Sequence, residues 1–212
     1  MWGCGKIAEV ISFYVTNDSD DEIVGYCVDE KYINDKEQDF MGHPLVAFSM
    51  IEKVFPPKNF KMLIPIGYKD MNRIRAEKYT EAKKKGYQLA TYISSKATYY
   101  GTHVGENSII LENNVIQPYT YIGDNTILWS GNHIGHHAKI GNHCFVSSHV
   151  VVSGSVIVED YSFLGVNATL RDNITIASSS LIGAGAAIMH DTEAGSVYVP
   201  AKSIKRGDVK GM

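Results

Sequence analysis

Five of the eight histidines fall in one short stretch: His133, His136, His137, His143 and His149. Near neutral pH an imidazole either ligates a metal or accepts a proton. His137, His143 and His149 stand six residues apart, which is a regular spacing but not a familiar ligand spacing. The cysteines, Cys4, Cys27 and Cys144, are scattered and in no C-x-x-C or C-x-x-H arrangement, so neither a zinc knuckle nor a disulfide framework is indicated. A second set of chemistry-bearing residues opens the chain. Gly3-Cys4-Gly5-Lys6 precedes Ile7, Val10, Ile11, Tyr14 and Val15, which share one helix face. A Gly-x-Gly turn at a helix start lets backbone N–H groups approach a phosphate, with Lys6 as counter-charge; it is equally a tight strand-to-helix turn. The strand-like residues 22–30 end in Asp29 and Glu30, where a dinucleotide-binding unit places the carboxylate that takes ribose hydroxyls.

These residues need a frame, and composition bounds it. The chain has 212 residues, 44% hydrophobic, with 20 basic and 23 acidic side chains. A net charge of −3 without a basic stripe argues against nucleic-acid binding. The N-terminus lacks the basic and apolar regions of a signal peptide, and no run of about 18 apolar residues offers a membrane span. With three unpatterned cysteines, this fits a reducing cytoplasm. Before residue 95 there are six glycines and 27 charged residues; after it there are 13 and 16, which divides the chain in two.

The second part is a six-residue repeat. From Val104 to Ile188, every sixth residue is Ile, Leu or Val, for fifteen consecutive hexads. By chance that is an event on the order of 10⁻¹⁰ for one register. Four residues after each aliphatic the chain is often small, as at Ser108, Thr120, Thr126, Ala138, Ser162, Ala168, Ser180 and Ala186. Glycine often follows the aliphatic directly, as a turn-tolerant residue between straight pieces. One large and one small inward residue per hexad describe a triangular prism with 18 residues per turn, nearly five turns and on the order of 24 Å tall. Periodicity leaves the hand open, with a right-handed crossover the default.

The prism places the histidines. His137, His143 and His149 occupy equivalent places on successive faces, about 120° apart, so one subunit cannot aim them at one ion. They read as solvated polar groups. His136 lies in another phase, two residues past Ile134. One turn later on its column is Gly154, whose missing side chain leaves space and a backbone N–H beside the imidazole. Asn114 and Asn132 stack one turn apart inside the prism, where buried amides can satisfy each other. Ahead of the prism, residues 61–67 read as a strand ending at Gly67, and 69–85 as a polar helix closed by Gly86, giving a parallel βαβ-like order. Only Met1 and Trp2 precede the glycines, so the first strand of such a unit is nearly absent: either upstream residues are missing or the domain is trimmed.

A hexapeptide prism over Val104 to Ile188, closing with Val-Tyr-Val-Pro-Ala-Lys at 197–202 behind a small α/β unit opening with Gly-Cys-Gly-Lys, resembles the sialic-acid O-acetyltransferase and bacterial nucleotide-sugar N-acetyltransferase family. The resemblance covers nearly the whole chain. It implies a Rossmann-like nucleotide-sugar-binding domain over 1–93, a left-handed parallel β-helix over 94–212 with a short C-terminal tail, a homotrimer, and acetyl-CoA between neighbouring prisms. It places the general base on His136 for direct acetyl transfer to an amino-deoxy sugar. His137 stands where family members often carry a carboxylate, and Phe145 where they carry an acetyl-contacting histidine. The resemblance further implies cofactor contacts at Phe145, Gly154, Val166 and Ala184; the basic Lys202, Lys205 and Arg206 fit either the cofactor phosphates or, equally, a solvated C-terminal end. For the nucleotide sugar it implies Cys4, Gly5, Lys6, Asp29, Glu30 and Gly67. No metal is expected, since the five-residue His–His spacing of the gamma carbonic anhydrases does not occur. The alternatives are O-acetylation of a sialic acid or related sugar and a non-catalytic trimeric prism that binds nucleotide sugars.

Overall fold

A computed structural model of the chain describes residues 1–33 and 39–201. The prism is present as a three-sided parallel β-helix that winds left-handed, against the usual right-handed crossover. Its strands are two residues long and stack into three faces. The first face has seven strands, from Tyr92–Ile93 to Val197–Tyr198; the second has six, from Thr98–Tyr99 to Ala187–Ile188; the third has five, from His103–Val104 to Thr175–Ile176. Partners lie 18 residues apart through most of the stack, as in Ile127↔Phe145 and His133↔Val151.

Each strand turns its second residue inward. The markers from Ile110 to Ile182 are 0–1% exposed, each contributing about 1.5–3 kcal/mol of apolar burial. The small residues four positions on, Ser108 to Ala186, are also buried, so the large and small inward columns hold as read. Asn114 and Asn132 are buried too, but they do not bond each other. Both amides donate to Trp129 O, at 2.8 and 2.7 Å, and Asn132 Oδ1 accepts the Val150 N–H at 2.8 Å.

The glycines after the aliphatics do a different job from the one their sequence position suggests. The turn itself is made two residues later. From Asn107 to Gly185, every sixth residue has φ between 54° and 80°, and the occupants are Asn, His, Ser, Tyr and Gly. The glycines instead permit close stacking of coils. A Cβ on Gly123 would stand 2.8 Å from the Gly141 carbonyl carbon, and one on Gly165 would stand 2.6 Å from Ala184 N.

The N-terminal unit is a small α/β layer. Strands β1 (Tyr26–Val28) and β3 (His43–Ala47) pair in parallel, and β2 (Asp39–Phe40) pairs antiparallel with β3. Met1 to Gly3 lie where a central strand belongs. Trp2 N donates to Leu63 O on one side, while Cys27 N donates to Met1 O and Gly3 N to Cys27 O on the other, all at 2.8–2.9 Å. Three residues thus bridge β1 to the 62–64 segment. Helix α1 (Lys6–Asp18) covers one side of this layer and packs with it against the first face, where Ile11, Val15, Tyr26, Leu63, Ile109, Ile127 and Phe145 share one core. Helix α3 (Arg73–Lys84) belongs to the other side, where Trp2, Cys27, Ile64 and Ala82 form a second core; a short turn, α2 (Ile51–Val54), contributes Ile51 to it.

Two polar devices fasten this unit to the prism. The first is Arg75, fully buried, whose guanidinium donates to the carbonyls of Ile66, Gly67, Asn125 and Cys144 and to Asn72 Oδ1, at 2.9–3.1 Å. Burial without a carboxylate partner pulls its pKa down to about 9. The second is a hydrogen-bond ladder up one prism edge: Ile64 N–H to Asn107 Oδ1, Asn107 Nδ2 to Asn125 Oδ1, and Asn125 Nδ2 to His143 Nδ1, at 2.7–2.8 Å. His143 must be the neutral acceptor at its end. Burial, then the Arg75 charge, holds its pKa below the usual histidine value.

Two predictions follow from this packing. Replacing Gly123 by Ala overpacks two coils at about 1–3 kcal/mol, lowering Tm by roughly 3–10 °C in calorimetry; an unchanged Tm would refute the close-stacking role. Because the unfolded chain takes a proton on His143 below about pH 6.5 and the folded chain does not, stability declines as pH falls below that value. Denaturant midpoints between pH 7 and 5 should show this decline, and His143→Asn, which suits the left-handed corner, should flatten it.

Candidate active site

Corner geometry decides which backbone N–H groups are available for chemistry. Strand N–H groups donate to the following coil, as Val115 N does to Asn132 O. The left-handed residue of most corners donates back to the preceding coil, as His137 N does to Pro118 O and Ser155 N to His136 O. The residue just before it is left out of both ladders, with its N–H turned outward. On the edge between the third and first faces, side chains cap four of these groups: Glu106 N donates to Asp124 Oδ1, Asp124 N to Asn142 Oδ1, Asn142 N to Asp160 Oδ1 and Ser178 N to Glu159 Oε2, at 2.7–2.8 Å. On the other two edges several stay open. Among the described residues, the N–H groups of Gly154, Val166 and Ala184 have no acceptor.

His136 stands on the edge between the second and third faces, exposed, with its N–H capped by Gln117 Oε1 at 2.8 Å. Its imidazole lies against Gly154 as the 18-residue column required. A Cβ there would sit 2.7 Å from His136 Cε1 and 2.8 Å from Nε2. His137, exposed and left-handed at φ 60°, points back toward it, with the two Nδ1 atoms 3.1 Å apart. The ring of Tyr119, one coil earlier, lies 4.7 Å from that of His137. Sequence reading missed Gln117 and Tyr119. They are 19 residues before His136 and 18 before His137, so the coil period was the signal that could have found them.

Val166 and Ala184 share the other edge of the second face. The structure therefore brings His136 and His137 to Gly154, and Val166 to Ala184, but sets the two groups on opposite edges of one face. Phe145 lies on the first face, 4% exposed, with its ring against Tyr68 at 4.9 Å and Phe163 at 5.8 Å. His143 is part of the interdomain ladder, and His149 lies over Gly131. No group of three or more His, Cys, Asp or Glu among the described residues could hold a metal.

The residues considered for the nucleotide gather at one end of the parallel segments. Gly5 is the N-cap of α1, with Lys6 exposed beyond it and Cys4 packed against the α1 core. Gly67 abuts the same helix, since a Cβ there would meet Ile7 Cδ1 at 2.7 Å, and its carbonyl is held by Arg75. Asp29 directly follows β1 and pairs with Lys78 at 2.9 Å. Glu30 accepts the Ser49 N–H at 3.1 Å, and hydrogen bonding from the Ser49 side chain, with a smaller share from backbone N–H groups, holds its carboxyl below the usual range. Lys202, Lys205 and Arg206 lie outside the described residues. Cys27 and Cys144 are buried, and desolvation pushes both thiols up to about 12, far from a reactive thiolate.

The model of the bacterial transferase hexapeptide (six repeats) matches residues 101–136 and 119–154. No curated protein sequence matches the chain. Solved structures resemble it over nearly its whole length. PerB from Caulobacter crescentus, in complex with CoA and GDP-perosamine, is 20% identical, with 94% of this chain and 92% of that one covered and a TM-score of 0.82. The acetyltransferase domain of PglB from Neisseria gonorrhoeae is 21% identical, with 96% and 97% covered and a TM-score of 0.80. WeeI from Acinetobacter baumannii is 16% identical, with 94% of each chain covered and a TM-score of 0.78. Residues 101–154 thus carry the bacterial transferase hexapeptide repeat, and the chain as a whole has the left-handed β-helix fold of these acetyltransferase structures.

Proposed function

We propose that the protein is a trimeric, cytoplasmic acetyltransferase that moves the acetyl group of acetyl-CoA to the amino group of a nucleotide-linked amino-deoxy sugar. The observation that carries this reading is the His136 imidazole lying on Gly154, whose backbone N–H is open. The amine nitrogen attacks the thioester carbonyl carbon. Its proton passes to His136 Nε2, the Gly154 N–H donates to the oxyanion, and the C–S bond breaks as that proton is passed on to the sulfur, releasing CoA thiol and the amide and returning His136 to its neutral form. Direct transfer is favoured because the buried Cys27 and Cys144 cannot serve as nucleophiles. The open amides of Val166 and Ala184 suit the carbonyls of the pantetheine arm. The solved structure of PerB with CoA and GDP-perosamine, alike in fold, supports this substrate class. The residues assigned to the nucleotide sugar are Cys4, Gly5, Lys6, Asp29, Glu30 and Gly67, on the domain formed by residues 1–93.

A trimer follows from the placement of the two half-sites. The outward residues of the second face are Thr98, Val115, His133, Val151, Thr169 and Ala187, without a carboxylate, lysine or arginine. With that face turned to a three-fold axis, the Val166 and Ala184 edge of one prism meets the His136 and Gly154 edge of the next. Cytoplasmic placement is supported by three cysteines that form no disulfide. No helix among the described residues is long and apolar enough to cross a membrane.

The test is thiol release from acetyl-CoA across UDP-, dTDP- and GDP-linked amino sugars and their hydroxyl analogues. One amino sugar should support turnover, and His136→Asn, folded and trimeric, should lose at least about a hundredfold in kcat. Full turnover by that variant would remove His136 as base. A hydroxyl analogue as the better substrate would assign the protein to O-acetylation. By sedimentation, Val151→Glu should yield folded monomers that release no thiol, and an intact trimer would place the interface elsewhere.

A further inference from the structure

His136 can act as a base only if its lone pair is on Nε2, so a partner must hold the proton on Nδ1. Among the described residues, no carboxylate is hydrogen-bonded to it. We infer that His137 is the positioning residue for His136, accepting the His136 Nδ1–H on its own Nδ1 and so fixing the tautomer of the base; this rests on the assignment of His136 as base. Two imidazoles in neutral form bond through one proton and one lone pair. The Nδ1···Nδ1 distance of 3.1 Å and the edge-on ring arrangement, 86° with centroids 5.3 Å apart, fit such a bond.

Two arrangements satisfy it, and the role of the base selects one. The Nε2 side of His136 lies on Gly154, whose carbonyl is already engaged by the Asn173 N–H at 3.1 Å. With the proton on Nδ1, the Nε2 lone pair is free to act as the base. His137 then keeps its own proton on Nε2.

The corner is built to keep His137 in place. Its left-handed backbone turns the side chain back along the edge, and the Tyr119 ring covers it at 4.7 Å and 33°. Tyr119 is itself left-handed at φ 65° and 67% exposed, although asparagine, serine or glycine fills most corners. A bulky side chain there is costly, and it stands against His137. Gln117 fixes the His136 backbone through its N–H.

The protonation behaviour follows from the groups around the pair. From the coil below come Tyr119 and Gln117, and from the coil above Gly154 and Ser155. His133 and Lys139 lie on the flanking strands, and Tyr100 and Asp172 two coils below and above on the same edge.

The closing experiment has two arms. In ¹⁵N NMR of histidine-labelled protein without substrates, His136 should be protonated on Nδ1 and His137 on Nε2, and His137→Ala should release His136 to the other tautomer. An unprotonated His136 Nδ1 in the wild type, or an unchanged tautomer in His137→Ala, overturns the proposal whatever the base proves to be. In turnover, His137→Ala should lose roughly 10- to 100-fold in kcat, the range seen when the partner of a functional imidazole is removed, with KM values nearly unchanged. His137→Asn, which tolerates the left-handed corner and keeps an acceptor, should recover part of that loss. His137→Glu should move the acid limb of kcat/KM to higher pH and His137→Ala to lower pH; coincident profiles would overturn the role. Full activity in His136→Asn would remove the base reading while leaving the tautomer result standing.

Discussion

The left-handed residue at every corner is the constraint from which the rest of the prism follows. Fourteen positions from Asn107 to Gly185 share it at six-residue spacing. For most L-residues this conformation costs on the order of 1–2 kcal/mol, so the corners recruit residues that tolerate it. Asparagine, glycine and histidine are such residues, which is why His137, His143 and His149 recur with the period of the fold. Their regular spacing reflects backbone conformation rather than a common ligand. The same corner reverses the direction of one N–H per hexad, sending it to the coil below. In doing so it leaves the preceding N–H outside the ladder.

These excluded N–H groups link architecture to chemistry. An outward amide at an exposed corner needs a cap, water or a ligand. The edge that adjoins the N-terminal unit closes four of its own with Asp124, Asn142, Glu159 and Asp160, and the interdomain ladder runs up that edge. The edges flanking the second face leave Gly154, Val166 and Ala184 open. Arg75 ties the two halves of the molecule together, because one guanidinium holds the Gly67 carbonyl and two successive coils. A cation buried among carbonyls sacrifices solvation for five directional bonds, and it fixes the loop assigned to the nucleotide relative to the prism.

The sequence was most legible where one physical rule repeats without interruption. The period, both inward columns and the contact between His136 and Gly154 all follow from 18 residues per turn. The coil at residues 92–99 was hidden by a phase break: inward Tyr99 precedes inward Val104 by five residues, not six, so counting back from Val104 lands on outward Thr98 and Tyr92. The glycines after the aliphatics were read as turn formers because one sequence cannot separate positive φ from close approach. Nothing local marked Arg75 as buried, since it lies in a helix rich in charge and its partners are carbonyls brought in from distant coils. Tyr119 and Gln117 escaped notice because their importance lies one coil away from the residues they touch.

Two open half-sites on opposite edges of one face make a geometric demand. Within a chain the face separates them, so no internal motion short of unwinding the prism can bring Val166 to His136. A three-fold axis along that face removes the separation for every edge at once, and it generates three equivalent clefts from a single kind of contact. In the proposed trimer, assembly would have a chemical role beyond stability: each cleft would take its base from one chain and its thioester contacts from the next. The uncharged outward surface of the second face is what such packing requires. Charge is tolerated on the third face, where Lys139 stands outward, and at the capped edge, because neither needs to meet another copy. The distribution of charge around the prism and of open amides along its edges therefore point to the same face, although they arise from separate constraints, desolvation in one case and hydrogen bonding in the other.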